Sequence, residues 1–288
     1  MPIDLKRTRE SFRKLDRQLS RLANKATPRN VHQFRTISRR VETILEELAP
    51  RTNRNARKLS KQLVKIRKKA GRLRDLDIQI AALRDLKGHE ANGQRSRLLQ
   101  SLLEERMRRE KRLVNALDRK AVAEIRKRLK RETGKLALPP NTEPLLVALN
   151  KLARLAREHA PLTERTLHEY RIMGKRARYI AELSDRQREA AFLIKELKAV
   201  QDVVGDWHDW LELSVRAENL LGGVKDSALV AMLRNVTRAK FRQGVDALVE
   251  MRTKLSGNTI GLIPNPDRVG RRPTAAGKDK DNEAAAVA

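Results

Sequence analysis

The chain has 288 residues, 40% of them hydrophobic, and is therefore long enough to bury the core of one large or two medium domains. It carries 65 Lys and Arg against 36 Asp and Glu, a formal charge of +29, which indicates a polyanionic partner such as nucleic acid, an anionic membrane surface or inorganic polyphosphate. The absence of cysteine excludes disulfides, thiolate nucleophiles and thiolate metal sites, and it fits a cytoplasmic location.

Apolar residues recur three and four positions apart along most of the chain, without strand-like alternation, so the pattern predicts an all-α fold. The first residues, MPIDLKRTRE, lack the apolar stretch of a signal peptide, and no run approaches the roughly 20 apolar residues of a membrane span. Helices are predicted at 3–25, 29–49, 52–70, 73–87 and 94–132. Gly71 is interpreted as a tight turn between the third and the fourth helix.

The segment TGKLALPPNTEP (133–144) contains a Gly and three Pro residues, which stop a helix. After it a second series is predicted, at 144–159, 163–184, 187–204, 206–221 and 225–255, with Gly205 at the turn that corresponds to Gly71. The tail, 257–288, is rich in Pro, Gly, Ala and charge. Such a composition buries too little apolar area to offset the entropy of ordering, so we expect the tail to be disordered.

The two series match in number, order and approximate length of their helices. His32 corresponds to His168 at an offset of 136 residues, and Gly71 corresponds to Gly205 at an offset of 134. The register predicts an internal duplication that forms two pseudo-symmetric antiparallel helical bundles. The expected organisation is a first repeat, a linker and a second repeat, at 3–132, 133–143 and 144–255.

Two decapeptides carry the same pattern, VHQFRTISRR (31–40) and LHEYRIMGKR (167–176). At about 100° per residue, one broad arc of the first helix is apolar and predicted to face the core. This arc contains Val31, Phe34, Ile37, Val41, Ile44, Leu45 and Leu48. A narrower arc is cationic in both copies, with His32, Arg35 and Arg39 in the first and His168, Arg171 and Lys175 in the second. We call these two sets the basic stripes.

Either basic stripe alone is also explained as the solvated face of a helix in a very basic protein. The recurrence of the same spacing in both halves favours a shared anionic ligand instead. Guanidinium groups offer paired donors that match phosphoryl oxygens, and Lys adds a compact point charge. A neighbouring polyanion also favours the protonated form of His. The basic stripes therefore suit a row of phosphates.

Further candidate binding cations occupy corresponding positions in the two halves, namely Arg40 with Arg176, Lys61 with Lys195, and Arg109 with Lys240. For Arg109, in the very basic ERMRREKR (105–112), a solvated face is the favoured interpretation. Asp75 and Asp209 follow the two glycines and have two interpretations. They are ordinary capping or first-turn acids, or they hydrogen-bond an Arg or His of the basic stripes and orient it.

The helix pattern V/L-H-x-aromatic-R-x-x-x-R/K-R, followed by G-x-L/W-x-D and repeated once in a basic helical chain, resembles the CHAD family, the conserved histidine α-helical domain. The resemblance implies a CHAD domain over 1–256, with a basic cleft between two helical bundles and non-catalytic binding of inorganic polyphosphate. The binding set it implies is His32, Arg35, Arg39, Arg40, His168, Arg171, Lys175 and Arg176. It also implies a location at cytoplasmic polyphosphate granules. We expect no cofactor and no membrane association.

Some CHAD proteins also carry a CYTH triphosphate-processing domain, whose ExExK motif does not occur here. We therefore expect a standalone binding module. One position departs from the family pattern, because His208 stands where the first half has Arg74. At this position the two halves are therefore not equivalent in sequence.

Two rival functions remain. His208-Asp209 matches the dipeptide of metal-dependent HD phosphohydrolases, with His32, His159 and His168 as further ligands, but the spacing does not bring a metal-binding set together. A nucleic-acid binder is the stronger rival, because phosphate contacts dominate affinity for any phosphate polymer. Aromatic residues, however, make up only 3% of the chain and are not interleaved with basic ones as base-stacking platforms. No helix-turn-helix, zinc-finger or RNA-binding signature occurs.

Overall fold

The computed structural model describes residues 4–49, 52–86, 93–135, 143–156, 162–184 and 188–258. These residues form nine α-helices and no β-strand, so the predicted all-α class is confirmed for them. The first half contains α1 (Leu5–Asn24), α2 (Pro28–Glu47), α3 (Arg54–Asp85), α4 (Gln94–Asn115) and α5 (Arg119–Gly134). The second half contains α6 (Pro144–Ala156), α7 (Glu164–Ala181), α8 (Arg188–Leu221) and α9 (Ala228–Asn258). None of these helices combines the length and apolar character needed to cross a membrane.

The predicted turns at Gly71 and Gly205 are wrong. Gly71 lies inside α3, which is 32 residues long, and Gly205 lies inside α8, which is 34 residues long. Neither glycine has a positive φ. A glycine costs about 1 kcal/mol relative to Ala in a helix interior, and buried residues on both sides of each glycine, such as Leu73 and Val204, offset that cost through packing.

The predicted helix at 94–132 is also wrong, because it is two helices. The chain turns at 116–118, where the Asp118 side chain accepts a hydrogen bond from Ala121 N at 2.7 Å and caps the start of α5. In the second half α9 runs without a break. The described residues therefore contain five helices in the first half and four in the second, not five in each. Most of the predicted linker (133–143) and nearly all of the predicted tail (257–288) lie outside the described residues.

Three buried apolar clusters hold the helices together. The first lies mainly among α1, α2, α3 and α5, and the second, around Trp207, lies among α6 to α9. The third joins the two halves, because residues of α3 and α4, such as Leu83, pack with residues of α8 and α9, such as Leu213. The predicted core arc of α2 is confirmed, since all seven of its apolar residues are buried.

Ion pairs join the halves beside the basic stripes. Arg40 of α2 pairs with Glu182, at the end of α7. Arg176 of α7 lies 3.7 Å from carboxylate oxygens of Glu46 and Glu47. Contacts between α2 and α7, and between α3 and α8, thus bring the two basic stripes to neighbouring helices.

Candidate functional site

A cavity of about 460 Å³ opens among α2, α3, α7 and α8. We call it the central cavity. Each of the four helices contributes charged side chains, because the apolar arc of each helix is used for the core and its polar arc is left for the cavity. The lining residues are His32, Arg35, Thr36, Arg39, Arg74, Asp75, Ile78, Arg171, Lys175, Arg178, Tyr179, Gln201, Asp202, Gly205, Asp206 and Asp209.

The cations of the two basic stripes meet in the central cavity. Burial lowers the pKa of Arg35, Arg39 and Arg171, and each of these groups is further affected by a neighbouring arginine. The strongest effect is on Lys175, where burial, followed by Arg171 and Arg39, lowers the pKa to about 7. Half-buried like charges at this density are costly without an anion, so the central cavity is electrostatically suited to a polyanion.

Aspartates partly balance these cations. Arg35 Nη1 donates to Asp75 Oδ1 at 3.3 Å. Burial raises the pKa of Asp209 to about 6, and Asp75 adds to that effect while Arg171 and Lys175 oppose it. Both acids lie well inside α3 and α8, so their interpretation as capping or first-turn acids is wrong.

Several buried nitrogens beside the central cavity have no hydrogen-bond partner among the described residues. They are Arg74 Nε, Arg171 Nε and Gln201 Nε2. Buried donors in folded proteins are nearly always satisfied, and each exception calls for an explanation. Donors of this kind beside a cationic cavity are complementary to the oxygens of an anionic ligand.

The predicted binding residues divide into two groups. His32, Arg35, Arg39, Arg171 and Lys175 line the central cavity together with Asp75 and Asp209. The other seven lie outside its lining. The His168 ring lies 5.0 Å from the His208 ring and is tilted against it, Arg40 and Arg176 pair with glutamates, and Arg109 pairs with Glu105. Lys240 pairs with Asp206 of the lining at 2.8 Å, while Lys61 and Lys195 are exposed.

Seven polar residues of the lining were not among the predicted site residues, namely Thr36, Arg74, Arg178, Tyr179, Gln201, Asp202 and Asp206. Arg178 lies seven positions after Arg171, at the edge of the second basic stripe, as the helical spacing predicts. Arg74 directly precedes Asp75, which was predicted as an orienting residue. Gln201 carries no charge, and no sequence signal distinguished it.

The CHAD domain family matches residues 6–218, which include every residue that lines the central cavity. This chain belongs to the CHAD family. The predicted resemblance is thereby confirmed, and CHAD domains are known as polyphosphate-binding domains that are generally non-catalytic. A comparison with curated proteins gave no match. Within the described part of this CHAD chain, no three His, Asp or Glu side chains are grouped so as to hold a metal ion. His159 lies outside that part.

Proposed function

We propose that this CHAD protein binds inorganic polyphosphate in the central cavity, without catalysis. One observation carries the proposal: arginines and a lysine from both basic stripes converge on a single cavity. The proposal treats the two halves as repeats of one unit that face the same ligand. It also places the protein at cytoplasmic polyphosphate granules.

The spacing of the cations suits a chain of phosphates better than a single phosphate. Arg35 and Arg39 are one helical turn apart on α2, which is about 6 Å along the axis. Arg171 and Lys175 repeat this spacing on α7, and Arg178 extends it. A linear polymer bound between the two helices would meet guanidinium donors along its length, and each bidentate contact would be charge-assisted.

The character of the lining favours polyphosphate over nucleic acid. Among the described residues, Tyr179 is the one Phe, Tyr or Trp side chain of the lining, and it is only 5% exposed. The guanidinium groups of Arg178 and Arg40 lie 4.7 and 5.9 Å from the centre of its ring. A covered ring is a poor platform for base stacking, whereas phosphate binding requires only the cations.

The proposal is tested by calorimetric titration of long-chain polyphosphate and tripolyphosphate into the wild type and Arg171→Ala/Lys175→Ala. A long chain contacts both basic stripes at high effective concentration, so the double variant should lose far more affinity for it than for tripolyphosphate. The plot of log affinity against log salt should also become less steep, because fewer counterions are released. Arg165→Ala/Arg238→Ala is the matched control, since it removes two exposed cations outside the central cavity.

Equal losses in the control and in the cavity variant would contradict the central cavity as the site. Competition addresses the rival function. If single-stranded DNA binds and an equal phosphate concentration of polyphosphate does not displace it, the protein is a nucleic-acid binder and the proposal fails.

A further inference from the structure

A second basic cavity, of about 830 Å³, lies between α1 and α5. We call it the α1/α5 groove. It shares no lining residue with the central cavity. Five basic side chains and one acidic side chain line it, together with apolar and small residues.

The cations of the α1/α5 groove stand in two rows. Arg9, Arg13 and Arg17 are spaced four residues apart on α1, so neighbours are about 6 Å apart along the helix axis. Arg126 and Lys130 repeat that spacing on α5. All five side chains belong to exposed residues, while Phe12 and Leu129 below them are buried in the core of the first half. The rows are therefore held at a fixed separation by packed helices.

The charge of the α1/α5 groove is poorly balanced. Within the described part of the chain, Arg126 is the one cation of the groove that forms an ion pair, with Asp16 at 2.8 Å. Arg9, Arg13, Arg17 and Lys130 form none with described residues. Like charges one turn apart on a helix destabilise it, so an anion in the groove would relieve repulsion along each row as well as between the rows.

We propose that the α1/α5 groove is a second anion-binding site, which takes a linear inorganic phosphate polymer. Two parallel rows of cations suit a chain of repeating negative charge better than a single small anion. The aromatic residue of the lining, Phe12, is 0% exposed and offers no face for a base, which disfavours single-stranded nucleic acid as the occupant. The proposal rests on the proposed function only for the identity of the ligand, since the site itself is separate.

The first test uses the full chain and two triple variants with equal loss of charge. The groove variant, Arg13→Ala/Arg17→Ala/Lys130→Ala, removes three of the five cations of the groove. The α4 variant, Arg108→Ala/Lys111→Ala/Arg112→Ala, removes three exposed cations of α4 that line neither cavity. In calorimetric titration, the groove variant should bind long-chain polyphosphate about tenfold more weakly or worse, the change expected when one charge-assisted hydrogen bond is lost. The α4 variant should change affinity much less. With tripolyphosphate, the wild type should bind two molecules and the groove variant one.

A second test, Asp16→Asn, should raise the affinity of the groove for phosphate polymers rather than lower it. It removes the acid of the groove and frees the Arg126 guanidinium, so tripolyphosphate affinity at this site should rise. Loss of folded structure cannot produce such a gain. Asp246→Asn, which removes an exposed acid of α9, is the control and should leave the affinity unchanged.

The outcomes separate this proposal from the proposed function. If Arg171→Ala/Lys175→Ala retains some polyphosphate binding, and this binding is lost when the three groove substitutions are combined with it in one chain, both sites are supported. Equal affinities of the groove and α4 variants, or one tripolyphosphate per wild-type chain, overturn the second site and leave the central cavity intact. Binding of single-stranded DNA in the groove that polyphosphate does not displace overturns the choice of occupant. If the wild type binds no polyphosphate at all, the proposed function itself fails.

Discussion

In the predicted register of the two halves, different polar pairs lie at corresponding positions beside the basic stripes. In the first half, the carboxylate of Glu42 accepts hydrogen bonds from Arg67 Nε at 2.7 and 2.9 Å and from Ser38 Oγ at 2.9 Å. At the offsets of 136 and 134 residues, the second half has Arg178 and Gln201 instead. There the Arg178 guanidinium donates to Gln201 Oε1 at 2.8 Å and to Glu182 Oε1 at 2.6 Å.

This difference changes what each half contributes. Arg67 pairs with Glu42 and Arg178 pairs with Glu182, but only Arg178, together with Gln201, lines the central cavity. Arg35 likewise donates to Asp75, while Arg171 Nε has no hydrogen-bond partner among the described residues. The first half therefore uses its polar network mainly to stabilise the fold, and the second half keeps more hydrogen-bond donors for a ligand.

The largest expected effect tests the stabilising role of the first half. Glu42→Ala leaves Arg67 without its buried partner and should lower the free energy of unfolding by about 3 kcal/mol, as when one member of a buried ion pair is removed. Gln201→Ala removes one hydrogen bond of the corresponding pair and should cost about 1 kcal/mol. Chemical denaturation of the two variants measures both values, and equal losses would show that the halves do not differ in this way.

The next effect tests the ligand-binding role of the second half. Arg171→Ala should weaken polyphosphate binding by about 2 kcal/mol, roughly thirtyfold, because its guanidinium is not committed to an internal acid. Arg35→Ala should cost only about 1 kcal/mol, since Asp75 already accepts one of its hydrogen bonds. Calorimetry at one salt concentration compares them. A larger loss from Arg35→Ala would reverse the assignment and make the Arg35–Asp75 pair the centre of the site.

A third expectation concerns pH, because the second half has Lys175 where the first has Arg39. The pKa of Lys175 is lowered to about 7, and that of Asp209 is raised to about 6. A bound polyanion favours the protonated form of both groups, so binding takes up protons and affinity falls as pH rises. The loss should be about tenfold or more between about pH 6 and about pH 8.

Two variants divide this pH dependence between the groups. Lys175→Arg should remove its upper part, because a guanidinium keeps its proton in this range. Asp209→Asn should remove its lower part. Calorimetry in buffers of different ionisation enthalpy counts the protons taken up, with long chains used so that terminal phosphates contribute little. An unchanged pH profile in both variants would show that neither group senses the ligand.

The basic stripes were predictable from sequence because helical periodicity is a local property. The apolar arc of α2 is buried as its spacing predicts, and Arg35, Arg39, Arg171 and Lys175 share one cavity lining. Gln201 was not predictable, because an uncharged residue becomes part of a site only through tertiary packing. His168 has the same spacing as His32, but its ring contacts that of His208, which corresponds to Arg74 in the predicted register of the two halves.

The helix boundaries were less predictable, because glycine has more than one use. A glycine ends a helix when the chain needs a positive φ, but it also provides room where another group lies close. A methyl group added at Gly71 would lie 3.8 Å from Arg35 Nε, and at Gly205, a residue of the lining, it would meet nothing within 4 Å. The sequence alone does not show whether a glycine ends a helix or leaves room for a neighbouring group.

The smallest expected effect compares these two glycines. Both lie in helix interiors without a positive φ, so Gly71→Ala and Gly205→Ala should each raise the free energy of unfolding by about 0.5–1 kcal/mol. Their effects on binding should differ, because the new methyl group contacts Arg35 in one case and enters the central cavity in the other. Gly205→Ala should therefore stabilise the protein, while its affinity for long-chain polyphosphate should fall by less than about tenfold. Denaturation and calorimetry on the same samples measure both quantities, and a destabilised Gly205→Ala would contradict the expected gain in helix stability.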